Sequence, residues 1–195
     1  MPSVPARKLP KAERRDQLLD TALAIVRDEG TDALTLARVA ERAGVSKPVA
    51  YEHFGTRSGL LIALCQRLDT QQIDATRAAL DRAPPTLDAV AQVLSQAYVA
   101  CALVAGSEWA AVSAALKGDE TMEAVLCQLT DDYVALYRAA LAPYVGLPEE
   151  TLRRRCVTLL GAGDALSREM IAGRIDGETA ASELAALITR WLSRP

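Results

Sequence analysis

Within eleven positions the chain sets out Lys47, Tyr51, His53 and Arg57, four side chains that donate hydrogen bonds or carry positive charge. Such groups on a short helix suit an anionic surface that also presents acceptors: charged ends meet phosphates, and donors near the helix N-terminus meet base edges. Pro48 and Val49 share the first turn, where a missing amide hydrogen costs nothing and an apolar side chain suits a thymine methyl. A lone lysine separates guanine from other bases less sharply than a bidentate arginine, so sequence preference is expected to rest partly on DNA shape. The plainer reading of each residue is a solvated or packed side chain.

The elements that must position these groups are legible nearby. Thr35 can cap a helix of about two turns, with Leu36, Val39, Ala40 and Ala43 at helical spacing and Gly44 as the left-handed residue that ends it. Val45 then packs inward, and Ser46 is a second N-cap for a helix too short to persist unless packed. Ala50 and Phe54 belong to packing. An upstream helix spans about Lys11 to Glu29, with Leu18, Leu19, Ala22, Ile25 and Val26 inward and Gly30 past its end. Together these read as a DNA-binding helix-turn-helix.

The same stretch resembles the TetR family of one-component transcriptional regulators, through Tyr51-Glu52-His53-Phe54 followed by Gly55, Thr56 and Arg57. The resemblance covers roughly Arg14 to Leu64; beyond it the likeness is architectural. It implies an all-α homodimer whose first three helices bind operator DNA and whose larger C-terminal part binds a small molecule and dimerises. Carried over by position, Lys47, Pro48 and Val49 face bases, Tyr51 and His53 stand near phosphates or bases, Arg57 meets the backbone, and Thr35 is a cap that also touches phosphate. Leu36 and Ala37 depart from the polar residues some members carry.

The 195 residues carry a formal net charge of −3, which suits phosphate poorly as a sum. The distribution is uneven: up to Leu60 bases exceed acids by two, and Arg7, Lys8, Lys11, Arg14 and Arg15 are opposed only by Glu13. That basic stretch reads as a phosphate-tracking arm, or else as a solvated tail. Cys65, Cys101, Cys127 and Cys156 form no CxxC and fall in apolar helical stretches, so buried thiols are expected and no disulfide, metal or cofactor. The basic N-terminus leads into no apolar core of a signal peptide, and no window spans a membrane, so the cytoplasm is expected.

Strand signals are scarce, and Ala and Leu at helical spacing predict an all-α fold of about nine helices, divided into a domain over 1–56 and another over 57–195. A fourth helix is expected from Arg57 to about Arg82, before Ala83-Pro84-Pro85. A fifth is capped by Thr86 and ends near Gly106, a short sixth spans Glu108 to Lys117, and Asp119 caps a seventh. Pro148 opens the eighth and Asp176 caps the last. Leu159 and Gly163 on the eighth, with Leu184, Leu187, Ile188 and Trp191 on the ninth, are expected at a dimer interface; packing within one subunit is the competing reading. The stretch from Val157 to Asp164 imitates a dinucleotide-binding glycine loop, but its third glycine position is Leu166 and its setting is helical.

The only histidine lies in the reading helix and no ordered catalytic constellation stands out, so an enzyme is not expected. Polar and aromatic residues inside apolar helices, namely Tyr98, Glu108, Trp109, Ser113, Tyr133, Tyr137, Asp164 and Arg168, are the material of a ligand pocket. Trp109 and Tyr137 are expected as its walls, with Tyr98 and Arg168 as orienting groups. The expected activity is a repressor released from a palindromic operator by a small molecule. The alternatives are a DNA-bound adaptor whose output is a protein partner, and a helical enzyme.

Overall fold

The computed structural model describes the backbone of residues 9–115 and 120–193, and side chains over 9–103 and 123–193. Among the described residues there are eight α-helices and no strand: α1 (Lys11–Glu29), α2 (Leu36–Arg42), α3 (Lys47–Phe54), α4 (Arg57–Leu80), α5 (Leu87–Ala115), α6 (Glu120–Leu141), α7 (Glu149–Ile171) and α8 (Gly177–Leu192). The chain divides into two compact units, Met1–Gln66 with Ala111–Leu116, and Arg67–Ala110 with Lys117–Pro195. The first therefore runs ten residues past the position expected from sequence, because Leu60, Leu61 and Leu64 at the start of α4 are buried to 1% exposure or less.

Local chemistry explains most helix ends. Thr35 accepts the Arg38 amide hydrogen at 3.1 Å, Thr86 that of Ala89 at 3.2 Å, and Asp176 that of Thr179 at 2.7 Å. Gly44, at φ +69°, ends α2 in a Schellman turn, with Val45 N–H donating to Ala40 O and Gly44 N–H to Glu41 O. Ser46 stands at the N-cap of α3 but its side chain makes no capping bond. The expected fifth and sixth helices are one, α5, running through Gly106. A helical glycine costs only about 1 kcal/mol, and no proline follows to enforce a break. The expected cap at Asp119 lies outside the described residues.

In the first unit Leu18, Ala22, Ile25, Leu34, Val39, Ala40 and Ala50 are fully buried. The second has a core drawn from α5 to α8: Leu94, Tyr137, Leu141, Cys156, Leu159, Leu184 and Ile188 belong to one cluster. Leu159, Leu184 and Ile188, expected between two subunits, are thus buried within one. So is Gly163. A Cβ there would lie 2.8 Å from the Tyr98 ring, so the glycine lets α5 and α7 approach through that tyrosine. Of the expected interface only Leu187, at 37% exposure, and part-buried Trp191 reach the surface. The inner side of the apolar stripe of α8 faces its own core through Leu184, Ala185, Ile188 and Leu192. Cys65 and Cys156 are buried as expected, while Cys127 is exposed. The glycine-loop imitation lies in the middle of α7.

Candidate nucleic-acid interface

The eight residues of α3 divide cleanly by burial. Ala50 and Phe54 face inward, Lys47, Pro48 and Tyr51 are exposed, and Val49 and His53 are intermediate. Tyr51, 52% exposed, is a large aromatic left in solvent beside the helix's only lysine. Val49 N–H bonds Ser46 O at 3.0 Å, closing the first turn around Pro48. Thr35 is exposed at the start of α2, its hydroxyl oxygen engaged as the cap. His53 is pushed below the ordinary imidazole range by burial, with Lys11, Arg15 and Arg14 adding to the effect against Glu52. At neutral pH it is therefore an uncharged hydrogen-bonding group.

Two residues of α1 not singled out by spacing hold the helix-turn-helix in place. The Arg15 guanidinium lies 5.0 Å over the Phe54 ring, and its Nη1 donates to His53 O at 3.2 Å. It supplies positive charge at the C-terminal end of α3, where the helix dipole is negative. Gln17 donates to Ala43 O at 3.4 Å, tying α1 to the end of α2. No local pattern could disclose partners 38 and 26 residues away.

Arg57 is placed differently from its expected backbone-contacting role. Its Nε donates to Leu34 O at 2.8 Å and its Nη2 to Thr31 O at 2.7 Å, so the guanidinium joins the start of α4 to the turn before α2. On α2, Arg38 pairs with Glu29 and Glu41, and Arg42 with Asp28 and Glu29. Hydrogen bonds from Arg38 hold the Glu29 carboxyl below the usual carboxylate range. Lys11 pairs with Glu52 at 3.5 Å, both exposed. Cations close to the reading helix are thus largely engaged with acids and carbonyls of the same unit. Arg7 and Lys8 of the basic arm lie outside the described residues.

In the second unit the expected pocket residues do not line a common space. Tyr137 is 2% exposed and donates to Leu94 O at 3.3 Å, as a core residue with its polar end satisfied. Tyr98 donates to Asp164 at 2.5 Å. Arg168 is exposed in the last turn of α7, on the solvent side of that helix. The side chains of Glu108, Trp109 and Ser113 lie outside the described residues. Open grooves of about 520 Å³ beside Val99, Leu103 and Gly177, and about 600 Å³ beside Arg77, Leu80 and Tyr144, contain none of Tyr98, Tyr137 and Arg168. Asp69, buried on α4, stands outside every motif of the sequence. Its signal was an acid in register with Ile73 and Thr76 on that helix's inner face. No helix among the described residues is long and apolar enough to cross a membrane.

A helix-turn-helix is a DNA-binding architecture, and here a larger helical unit follows it. Residues 18–64 match the sequence model for bacterial regulatory proteins of the tetR family. The chain is 42% identical over 73 residues to the HTH-type transcriptional activator FasR of Mycolicibacterium smegmatis, covering 37% of this chain and 33% of that one. It is 34% identical over 85 residues to the HTH-type transcriptional regulator BetI of Rhizobium meliloti, covering 44% and 42%. These matches thus span well under half the length of either relative. A tetR-family transcriptional regulator from Streptomyces coelicolor shares the fold at a TM-score of 0.72 and 20% identity, over 92% of this chain and 80% of that one. The regulator FadR from Bacillus subtilis, solved in complex with stearoyl-CoA, does so at 0.66 and 16%, over 89% and 96%. Residues 18–64 thus carry the DNA-binding sequence of tetR-family regulators, and the fold as a whole is one that such regulators share.

Proposed function

We propose that the protein binds a palindromic operator as a homodimer, sets α3 of each subunit in the major groove, and is released as a repressor by a small-molecule effector in its C-terminal unit. The observation that carries this is the exposed first turn of α3, with Lys47, Pro48 and Tyr51 in solvent on a helix whose opposite side is fixed by Ala50 and Phe54. Val49, His53 and Thr35 flank that surface. Arg57 contributes by fixing α4 against the turn that leads into α2, so its support of DNA binding is mainly positional.

The DNA-contacting helices end near residue 56 in this reading, the buried start of α4 completes their unit, and α4 carries the effector's influence because it is covalently common to both units. An effector acts only through its differential affinity for the operator-competent and released states, and about 1–3 kcal/mol of coupling lowers operator affinity roughly 5- to 150-fold. The protein works in the cytoplasm, where its DNA is, and has no catalytic step. FasR is named an activator, so transcription from the selected operator in vitro is the measurement that fixes the sign.

Selection of bound sequences from random duplex DNA by the purified protein tests the reading. The expected result is an inverted repeat with half-site centres one helical turn, about 10–10.5 base pairs, or a multiple apart. Equal affinity for the selected and random sequences at physiological salt would defeat it.

A further inference from the structure

The helix that meets DNA in the reading above carries one acid, Glu52, and the acid lies on its outer face. The four exposed residues of α3 are Lys47, Pro48, Tyr51 and Glu52, and at about 100° per residue they fall within an arc of about 140°. Lys47 forms one edge of that arc and Glu52 the other. Buried Ala50 and Phe54 fall outside it. Glu52 Oε1 lies 3.5 Å from Lys11 Nζ at the start of α1, and the Glu52 side chain stays 68% exposed in that pair. Exposed pairs contribute little to stability, so the pair matters chiefly for the charge of this surface.

An acid on a face that approaches phosphates costs affinity on every sequence unless something in the groove or beside it compensates. Lys11 compensates from the side of α1. Within the major groove the only donors are the amino groups of cytosine and adenine, while guanine and thymine turn acceptors outward. Adenine sets the acceptor N7 beside its amino group, where it repels a carboxylate. The cytosine edge offers its amino donor alone.

We propose that Glu52 is a specificity-determining residue of α3, its carboxylate accepting a hydrogen bond from the amino group of a cytosine in each half-site while Lys11 offsets its charge against the phosphates. This deepens the operator reading above and rests on it. Glu52 discriminates in both directions, since it gains a bond at cytosine and meets acceptors at guanine or thymine. It adds a directed contact to the loose preference of the lone Lys47.

Parallel selections from random duplex DNA with the full-length wild type, Glu52→Ala, Glu52→Gln and Lys11→Ala test the proposal, with circular dichroism establishing that each variant folds. Wild type is expected to select an inverted repeat whose half-sites each hold a C·G pair that becomes degenerate with Glu52→Ala. With Glu52→Gln the same position should turn to A·T, because an amide matches the donor and acceptor of adenine together. Replacing that C·G pair by T·A in the selected operator should cost wild type about fivefold or more in affinity, and Glu52→Ala less than about twofold. Lys11→Ala should weaken binding across all sequences and leave the selected bases unchanged. A base pair other than C·G at the affected position, or a rise in affinity that Glu52→Ala confers equally on all sequences, overturns the proposal. If wild type selects an inverted repeat that both Glu52 variants read identically, the role of Glu52 falls and the operator reading stands. If wild type selects no sequence, the operator reading falls and takes the role of Glu52 with it.

Discussion

A cation serves phosphate only if nothing nearer holds it, and Arg57 and Lys47 differ in that respect. Arg57 is bonded to two carbonyl oxygens, so Arg57→Ala should cost about 2 kcal/mol of stability in chemical denaturation and leave the salt dependence of DNA binding nearly unchanged. Lys47→Ala should stay within about 0.5 kcal/mol in stability, flatten the salt slope by roughly one unit and alter base preference. The reverse pattern would return Arg57 to a phosphate-contacting role. Asp69 gives a prediction with the opposite sense from most acids. Folding raises its pKa from 3.8 to about 6, so the folded state holds a proton more tightly, and the ionised group opposes folding above pH 6. Asp69→Asn should therefore stabilise the protein by on the order of 1–3 kcal/mol at pH 8, a gain that fades as pH falls through 6 and is absent by pH 3. Melting curves across that range decide it. Sequence identified residue types well here but not their partners: nothing near Arg57 in the chain points to Leu34 and Thr31.

Helix ends were the most readable elements, because a cap is a local transaction between neighbours. Thr35, Thr86, Asp176 and Gly44 act as their types require. Gly106 was unreadable for the complementary reason. A glycine inside a helix is tolerated or not according to what the rest of the fold supplies. On α7 two glycines separate these effects. Gly163→Ala should destabilise by about 1–3 kcal/mol, since its Cβ meets the Tyr98 ring, and Gly161→Ala should stabilise by up to about 1 kcal/mol, since it is exposed with nothing within 4 Å. Denaturation of the two variants side by side is the check. Similar effects in both would remove Tyr98 as the reason for Gly163.

For the whole molecule, fold class and the DNA-binding half were legible because their signals are short-range and repeated. The other half was not, since core, pocket and interface all draw on the same apolar residue types. The spacing of Leu184, Leu187, Ile188 and Trp191 predicts a stripe without saying which edge is covered by its own chain. With Leu184 and Ile188 buried internally, the dimer proposal rests on what α7 and α8 leave outside, chiefly Val157 at 43% exposure and Leu187 at 37%. Sedimentation should show a dimer for the intact chain and a folded monomer for Val157→Arg combined with Leu187→Glu. Leu184→Ala should instead cost about 2–5 kcal/mol through the cavity it leaves. A double variant that remains dimeric moves the interface elsewhere.

The shortness of α3 has a thermal consequence. Isolated helices below about 12–15 residues are marginal in water, and α3 has eight, so its order is borrowed from α1, α2 and the first turns of α4. The surface that touches DNA cannot outlast that support: heating should abolish operator binding and hydrogen-exchange protection of α3 in one step, with no warmed state that still reads DNA. A fragment cut at residue 56 discards Leu60, Leu61 and Leu64 and should be unable to read DNA at any temperature, whereas one cut at residue 66 keeps them. The protein would thus behave as a thermal fuse for the genes it controls, its trip point set by the melting of its first sixty-odd residues.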